Sequence, residues 1–361
     1  MKKLLLAVLI LTIAMDSSAQ VDQDGPYIWH TGNHTLSYSI MNNVLKIDTL
    51  KPDQDIHVGF MANKDWDFDL KLHKSIQIPP STYKESEKLI VLSDIEGEFE
   101  AFRALMIGNN IIDKEYNWTF GKGHLVICGD LFDRGRDVMS YLWLLYKLED
   151  EASKKGGFVH VLIGNHDVMN MAGDFRYVSD KYPASAKLIG VDYLRLIAAD
   201  TEIGKWLRSK NAMEKIGDKL FLHGGISGQI NALSLSLDMI NDKCRSYYGV
   251  PTKQLDGESR LFMGGSGPFW YRGYFGKERT PVSTVDSTLT KFGVKHVVVG
   301  HTITADNIAA YYGGKVIGVD VDEHHGKHRA LLYPSKNHVF VVDDKGKKYP
   351  LTEGAKAGEI K

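Results

Sequence analysis

Five short apolar runs in this chain are each followed by a residue whose side chain can bind a metal ion. The runs lie at residues 89–92, 125–128, 159–163, 220–222 and 297–299, and the residues that follow them are Asp94, Asp130, Asn165, His223 and His301. Continuous apolar runs are typical of buried strands in α/β sheets, which bind ligands at the carboxyl ends of their strands. Carboxylate, amide and imidazole groups at one sheet edge form a mixed oxygen and nitrogen ligand set. The pattern predicts a site for two divalent cations that carries out hydrolysis.

Residues 129–135, Gly-Asp-Leu-Phe-Asp-Arg-Gly, form the most specific of the loop patterns. We interpret Asp130 as a metal ligand, Asp133 as a carboxylate that orients a base, and Arg134 as a phosphate-binding group. The alternative is a polar turn with an Asp–Arg pair at the surface. The functional interpretation is favoured because two glycines bracket three charged residues directly after a buried strand.

Residues 164–167, Gly-Asn-His-Asp, give a second pattern. Asn165 offers a neutral amide oxygen to a metal, and His166 can donate a proton to a leaving group. A carboxylate such as Asp133, hydrogen-bonded to the ring, would orient it and raise its pKa, as a general acid requires. The alternative is an ordinary loop histidine. His223 and His301 adjoin glycines after strands and are weaker signals when each is taken alone.

Strands and helices alternate from about residue 87 to residue 333. Residues 98–112 and 137–151 are predicted to be helical, and in the second segment apolar residues recur at helical spacing. Strands separated by helices of this length indicate βαβ crossovers and therefore an α/β fold. Residues 335–337 are predicted to form the turn of a closing C-terminal hairpin.

Residues 20–87 are predicted to form a small β-rich extension. Polar and apolar residues alternate at 35–40, two asparagines follow at 42–43, and a second strand-like run occupies 44–48, which indicates a hairpin. Two prolines at 79–80 mark a break. We therefore divide the chain into a signal peptide (1–19), an N-terminal β-rich extension (20–87) and a catalytic domain (88–361) that includes the C-terminal hairpin.

The first nineteen residues have the anatomy of a secretory signal peptide. A basic start is followed by an apolar stretch to residue 15 and by small residues before Gln20. The apolar stretch is shorter than the roughly 20 residues that span a bilayer, which favours cleavage over a retained anchor. We expect a bacterial protein that is periplasmic or secreted and has no stable membrane anchor.

The composition is that of an ordinary globular protein, with 43% hydrophobic and 25% charged residues among 361. The formal net charge of −1 gives no electrostatic indication of nucleic-acid binding. Two cysteines do not make a disulfide framework, and we expect both to be free or buried.

The series of motifs resembles the calcineurin-like metallophosphoesterases, and within them the phosphoprotein-phosphatase branch. That branch carries Gly-Asp-x-His-Gly, Gly-Asp-x-x-Asp-Arg-Gly, Gly-Asn-His-Glu/Asp, His-Gly-Gly and Gly-His-Thr in this order, and the resemblance covers roughly residues 88–325. Residues 168–179, 205–209 and 270–274 look more specifically like the bacterial Shewanella-like phosphatases. The resemblance implies a four-layer αββα core, in which two sheets lie between helices.

The resemblance also implies two metal positions. Asp94 and Asp130 would bind the first metal, with Asp130 bridging to the second. Asn165, His223 and His301 would complete the shell of the second metal. The cations remain open among Mn, Mg, Fe, Zn and Ca.

For catalysis, the resemblance implies that His166, paired with Asp133, protonates the leaving group. Arg134 and Arg272 would hold the phosphoryl oxygens, because guanidinium groups match phosphate geometry. Two cations would lower the pKa of a water between them for in-line attack. The alternative for Arg272 is that its segment packs a sheet edge.

One position departs from the family pattern. Residues 93–97 read Ser-Asp-Ile-Glu-Gly, so Glu96 stands where the histidine of the first metal would be. We expect Glu96 to coordinate, which gives a shell of carboxylates and water suited to Mg²⁺, Mn²⁺, Ca²⁺ or Fe over Zn²⁺. The alternatives are a weakly held first metal or none.

A second departure lies at residues 318–325, where acidic residues and two histidines follow a strand. The related phosphatases tend towards a small glycine-containing turn there. The segment is interpreted either as a solvated loop or as a contribution to the pocket rim or an accessory metal site, and no ligands are assigned from it.

The sequence thus predicts a secreted, metal-dependent enzyme that hydrolyses phosphate monoesters, with a phosphorylated small molecule or a phosphoprotein as substrate. A hydroxide bound between two metals would attack in line, and His166 would act as general acid. The alternatives are a nucleotidase, phosphodiesterase or dinucleoside polyphosphate hydrolase, and a metal-deficient binding module without catalysis.

Overall fold

The computed structural model describes residues 21–305 and 307–355. Within these ranges the strands are β1 (Gln23–Thr31), β2 (His34–Met41), β3 (Val44–Leu50), β4 (Ile56–Val58), β5 (Phe68–Leu70), β6 (Thr82–Tyr83), β7 (Leu89–Leu92), β8 (His124–Ile127), β9 (Phe158–Val161), β10 (Met213–Ile216), β11 (Lys219–Leu222), β12 (His296–Val299), β13 (Ala309–Tyr311), β14 (Val316–Gly318), β15 (Arg329–Ser335), β16 (His338–Asp343), β17 (Lys348–Pro350) and β18 (Thr352–Glu353).

The α-helices in the same ranges are α1 (Phe99–Gly108), α2 (Val138–Lys154), α3 (Asn165–Met171), α4 (Lys181–Ile189), α5 (Tyr193–Leu196), α6 (Glu202–Ser209), α7 (Gly228–Asn231), α8 (Leu237–Ser246), α9 (Gly257–Met263) and α10 (Val282–Phe292). Short 3₁₀ helices lie at Lys64–Trp66, Thr252–Gln254 and Glu323–His325.

Two mixed sheets form the centre of the molecule. The six-stranded sheet has the order β17-β16-β15-β7-β8-β9, and the seven-stranded sheet has the order β18-β13-β14-β12-β11-β10-β6. All five apolar runs are strands, but β7, β8 and β9 run parallel in the first sheet, whereas β11 and β12 run parallel in the second. Their carboxyl ends therefore meet from two sheets, and not at the single edge that the apolar runs alone predicted.

The inner faces of the two sheets pack against each other. Val91 of β7 and Val298 of β12 belong to one buried cluster between the sheets. Their neighbours Ile90 and Val297 belong to a second cluster that includes residues of α1, α2 and α10, because successive strand residues face opposite sides. The strands are thus apolar on both faces, and the layers have the predicted order αββα.

The two predicted helices are α1 and α2, with shifted ends. The α1 helix stops at Gly108, four residues before the predicted end, and Asn110 then adopts a left-handed backbone with φ of 56°. The α2 helix runs on to Lys154 and buries Leu142 and Leu145 at the helical spacing that predicted it.

The N-terminal strands β1, β2 and β3 form a separate antiparallel sheet. The predicted hairpin joins β2 to β3, and both turn residues, Asn42 and Asn43, are left-handed with φ of 51° and 59°, as a type I′ turn requires. The sheet is tied to α2 by the indole nitrogen of Trp143, which donates to the carbonyl of Pro26 at 2.9 Å. The domain boundary at residue 87 remains a prediction, and β6 just before it pairs with β10.

The C-terminal hairpin forms as predicted between β15 and β16, and β15 also pairs with β7. Cys128 and Cys244 are both buried and free. Among residues 21–305 and 307–355, no helix combines the length and apolar character needed to cross a membrane. The predicted signal peptide lies outside the described residues.

Candidate metal centre and active site

Strained backbone marks the place where the strand ends meet. In the described part of the chain, twelve residues other than glycine have positive φ, and six of them are predicted site residues: Asp94, Glu96, Asp130, Asp133, Arg134 and His301. A left-handed backbone is unfavourable for such residues, by about 1–3 kcal/mol each, and persists where the surrounding structure enforces it. The concentration of six such residues indicates that the fold holds these side chains in imposed positions.

Asp130, Asn165, His223 and His301 form one cluster of potential ligands. Oxygen and nitrogen atoms of Asp130, His223 and His301 all lie within 4.8 Å of one another. The Nε2 atom of His223 is 3.2 Å from Oδ2 of Asp130 and 2.8 Å from Oδ1 of Asn165. Its Nδ1 atom donates to the carbonyl of Cys128 at 2.7 Å. In the neutral ring Nε2 therefore carries a lone pair that faces two oxygen acceptors, an arrangement that a cation among them would satisfy.

The electrostatics of this cluster are dominated by charge pairing under deep burial. Burial opposes ionisation of His223, but the carboxylates of Asp130 and Asp94 outweigh it and raise the pKa of His223 to about 9. Burial would raise the pKa of Asp130, but His223 beside it lowers that pKa below its usual range. Burial, His223 and Arg272 lower the pKa of His301 to about 2, so this ring is neutral at ordinary pH.

Asp94, Glu96 and Asp130 form a second, carboxylate-rich cluster. Oε1 of Glu96 lies 3.7 Å from Nε2 of His166, and Oδ2 of Asp130 lies 3.9 Å from the same nitrogen. Glu96 is only 1% exposed, and its Oε1 atom is buried without a hydrogen-bond partner among the described residues. Burial and the neighbouring Asp130 and Glu96 raise the pKa of Asp94 to about 7. An unpartnered buried oxygen among crowded carboxylates fits a divalent cation, because such a cation would neutralise this charge.

His166 and Asp133 lie together as predicted. Nδ1 of His166 is 2.5 Å from Oδ2 of Asp133, and the other oxygen of Asp133 accepts from the amide nitrogen of Asn170 at 2.7 Å. The hydroxyl of Tyr193 donates to Oδ1 of Asn170 at 2.9 Å. Burial lowers the pKa of His166, but the hydrogen bond to Asp133 and the charges of Asp130 and Glu96 outweigh burial and raise it. The ring therefore points Nε2 at the carboxylate-rich cluster.

Asn170 and Asp167 are site residues that the sequence reasoning did not assign. Asn170 is four residues after His166 on α3 and so lies on the same helix face. This spacing in the sequence could have identified Asn170 as a neighbour of His166. Asp167 accepts from the backbone nitrogens of Leu131 and Gly164 at 2.8 and 2.7 Å. It thus ties the loop after β8 to the start of α3.

The two predicted phosphate-binding arginines face one cavity of about 460 Å³. Arg134 forms an ion pair with Glu96, and its guanidinium lies over the ring of Tyr177, 6.0 Å from the centroid. Arg272 donates to the carbonyl of His301 at 2.5 Å and to Oγ1 of Thr302 at 3.1 Å. Arg272 therefore lines the cavity and is not confined to packing a sheet edge.

The segment after β14 forms one wall of the same cavity. Asp320, Glu323 and His324 line it together with Asp94 and Glu96. Burial and the carboxylates of Asp94, Asp130 and Glu96 raise the pKa of Asp320 well above its usual range. Of the two interpretations of residues 318–325, the structure thus favours a contribution to the pocket over a solvated loop.

The structure brings all ten predicted site residues to one place. Those that line the cavity directly are Asp94, Glu96, Asp130, Arg134, His166, Arg272 and His301. Asn165 and His223 lie behind it in contact with each other, and Asp133 lies behind His166. Their individual roles remain predictions.

Comparison with known proteins gives the class to which this site belongs. Residues 87–305 match the family model described as calcineurin-like phosphoesterase, and the chain belongs to this family. It is similar to Shewanella-like protein phosphatase 2 of Arabidopsis thaliana, with 27% identity over 291 residues, covering 68% of this chain and 73% of the relative. It is also similar to Shewanella-like protein phosphatase 1 of Plasmodium berghei, with 29% identity over 244 residues, covering 64% and 66% of the two chains.

Among solved structures, the chain is similar to the cold-active protein tyrosine phosphatase of a psychrophilic Shewanella species. The TM-score is 0.84 with 38% sequence identity, and the match covers 91% of this chain and 99% of the other. The protein is therefore a phosphatase of the calcineurin-like family, and the fold and relationship that the motifs predicted are confirmed.

Proposed function

We propose that this phosphatase hydrolyses phosphate monoesters with the help of two divalent cations, and that His166 is its general acid. The observation that carries the proposal is the His166–Asp133 pair, which points one ring nitrogen at a buried group of carboxylates and histidines inside a cavity lined by two arginines. Phosphoryl transfer needs mainly positioning and charge stabilisation from a protein, and this cavity supplies both.

The ligand clusters define where the cations would bind. Asn165, His223 and His301 would hold one cation, Asp94 and Glu96 would hold the other, and Asp130 would contact both. When bound, two such cations lower the pKa of a water molecule and neutralise charge on the phosphoryl group. The carboxylate-rich set favours harder ions such as Mg²⁺ or Mn²⁺ at the position of Asp94 and Glu96.

The side chains of this chain would supply the remaining functions. Arg272 and Arg134 would bind the phosphoryl oxygens, and Arg134 would then share its guanidinium between the substrate and Glu96. His166 would transfer the proton on Nε2 to the ester oxygen as the P–O bond breaks. Asp133 would stabilise the ring in the orientation and protonation state that this transfer needs.

We infer that aryl phosphates, including phosphotyrosine, are the preferred substrates. Tyr177 is 46% exposed and its ring lies 5.1 Å from that of His166, which is the group that would face the leaving oxygen. Ile303, 53% exposed, lines the cavity. These apolar surfaces suit an aromatic leaving group, and the similar Shewanella enzyme is named a protein tyrosine phosphatase.

A substrate panel tests this proposal on the purified protein with Mn²⁺. We expect p-nitrophenyl phosphate and phosphotyrosine peptide to be hydrolysed faster than matched phosphoserine peptide, bis(p-nitrophenyl) phosphate and ATP. Asp130→Asn is the matched inactive control. Preference for the diester or for ATP would replace the proposal with the phosphodiesterase or nucleotidase alternative.

We also propose that the protein is exported and that residues 1–19 are removed. The support is the sequence pattern at the N-terminus alone. Intact mass of the protein recovered from a periplasmic fraction tests this, with a chain that begins at Gln20 as the expected result. Recovery of the full-length chain from the cytoplasm would contradict it.

A further inference from the structure

The two oxygens of Glu96 have different surroundings. Oε2 accepts from Nε2 of His324 at 2.5 Å and is paired with Arg134. Oε1 has no hydrogen-bond partner among the described residues and faces His166 and Asp130. One oxygen is thus fixed by protein donors, while the other remains available to a ligand on the cavity side.

His324 reaches this position from a distant part of the chain. It lies in the 3₁₀ helix Glu323–His325, after β14, and is 228 residues away from Glu96 in sequence. Its other ring nitrogen, Nδ1, lies 2.9 Å from Oε1 of Glu98. The three side chains form a continuous series in which one imidazole joins two carboxylates.

This geometry distinguishes between two possible roles for His324. Both ring nitrogens lie within hydrogen-bond distance of carboxylate oxygens, and the Oε2 atom that His324 contacts is also paired with the cationic Arg134. The group of side chains that could share a metal ion is instead Glu96, Asp130 and His166. His324 is therefore placed to hold a ligand and not to be one. The neighbouring His325 is 79% exposed and contacts Asp322 instead, so the role belongs to one histidine of the pair.

We propose that His324, held by Glu98, is a positioning residue that fixes Glu96 so that its Oε1 binds the first cation, and that this assembly replaces the histidine of the family motif. The inference rests on the proposed two-cation function. Partners of this kind fix the orientation of metal ligands, and their removal typically weakens metal binding by about 10- to 100-fold. The same side chains explain why Glu96 is tolerated at a buried position.

Mn²⁺ titration of the metal-free full-length protein tests the proposal. Binding constants come from calorimetry, and electron paramagnetic resonance distinguishes a coupled Mn²⁺ pair from an isolated ion. We expect the wild-type protein to bind two ions as a coupled pair. His324→Asn should weaken the binding of one ion by about 10-fold or more, leave the other unchanged, and give the signal of isolated Mn²⁺ at two equivalents. His325→Asn, on the same turn, should behave as wild type.

Two further variants keep the test decisive if His324→Asn folds poorly. Glu98→Gln leaves His324 in place and should weaken the binding of the same ion by a smaller factor than His324→Asn does. In a Glu96→His background, replacing His324 should no longer change Mn²⁺ binding, because the carboxylate that it positions is gone. If the wild-type protein binds two ions and the affinities are unchanged in His324→Asn and Glu98→Gln, this inference alone is overturned. Binding of a single ion by wild type would overturn the proposed function as well.

Discussion

Replacement of His166 by alanine tests the assignment of the general acid. General acid catalysis typically contributes 10²- to 10⁴-fold, or about 3–5 kcal/mol of barrier at about 1.36 kcal/mol per tenfold. Both oxygens of Asp133 are occupied, at 2.5 Å by His166 and at 2.7 Å by Asn170, so the ring is held in place before substrate binds. We therefore expect the loss to be about 10³-fold for an alkyl phosphate, whose leaving group needs a proton.

The loss should depend on the leaving group. For p-nitrophenyl phosphate, whose leaving group departs readily as an anion, we expect His166→Ala to lower kcat by less than about tenfold. The assay is steady-state hydrolysis of a series of aryl and alkyl phosphates, plotted against leaving-group pKa for wild type and variant. Asp133→Asn serves as the matched control and should show the same trend more weakly. An equal loss for every leaving group, with the fold intact by circular dichroism, would refute the role of His166.

Three other changes have defined outcomes. Asp130→Asn should abolish measurable phosphatase activity, because it removes a negative ligand shared by both clusters; residual activity above about 1% of wild type would contradict this sharing. Glu96→His should move the metal preference towards Zn²⁺ or Co²⁺, and an unchanged ranking of metals in the activity assay would count against coordination by residue 96. Burial and the neighbouring His160 lower the pKa of His124 to about 3. At His124, only the unfolded chain gains a proton as the pH falls below about 6.5. The free energy of unfolding should therefore drop by up to about 1 kcal/mol per pH unit between pH 6.5 and pH 4, a value that allows for partial solvent screening. In urea denaturation, the free energy of unfolding of His124→Asn should fall less steeply with decreasing pH over this range. A pH dependence equal to that of wild type would refute the assignment of this loss of stability to His124.

The strands and the potential ligands that follow them were predictable, because an apolar run and the residue after it are local features of the sequence. The strands are largely apolar on both faces, and a potential ligand follows each of them within one to four residues. The division of these strands between two sheets was not predictable from the runs, because it depends on non-local pairing. Leu331 of β15, for example, pairs with Val91 of β7 across 240 residues.

The site shows the same contrast. Asn170 follows His166 by one helical turn, so its contact with Asp133 was within reach of a spacing argument. The contact of His324 with Glu96 depends on the path of the chain after β14, which no local pattern determines. The glutamate at residue 96 was visible in the motif, whereas the contacts of His324 and Arg134 with its side chain are visible only in the tertiary structure.

We propose that Asp130 lies between two cations, one held by the histidine-containing cluster and the other by Asp94 and Glu96. Anomalous diffraction from crystals of the protein grown with Mn²⁺ measures this most directly. We predict two peaks about 3.5–4 Å apart, one beside His223 and the other beside Oε1 of Glu96. A single peak beside His223, with Glu96 still bound to Arg134 and His324 and no ion at Oε1, would contradict this arrangement.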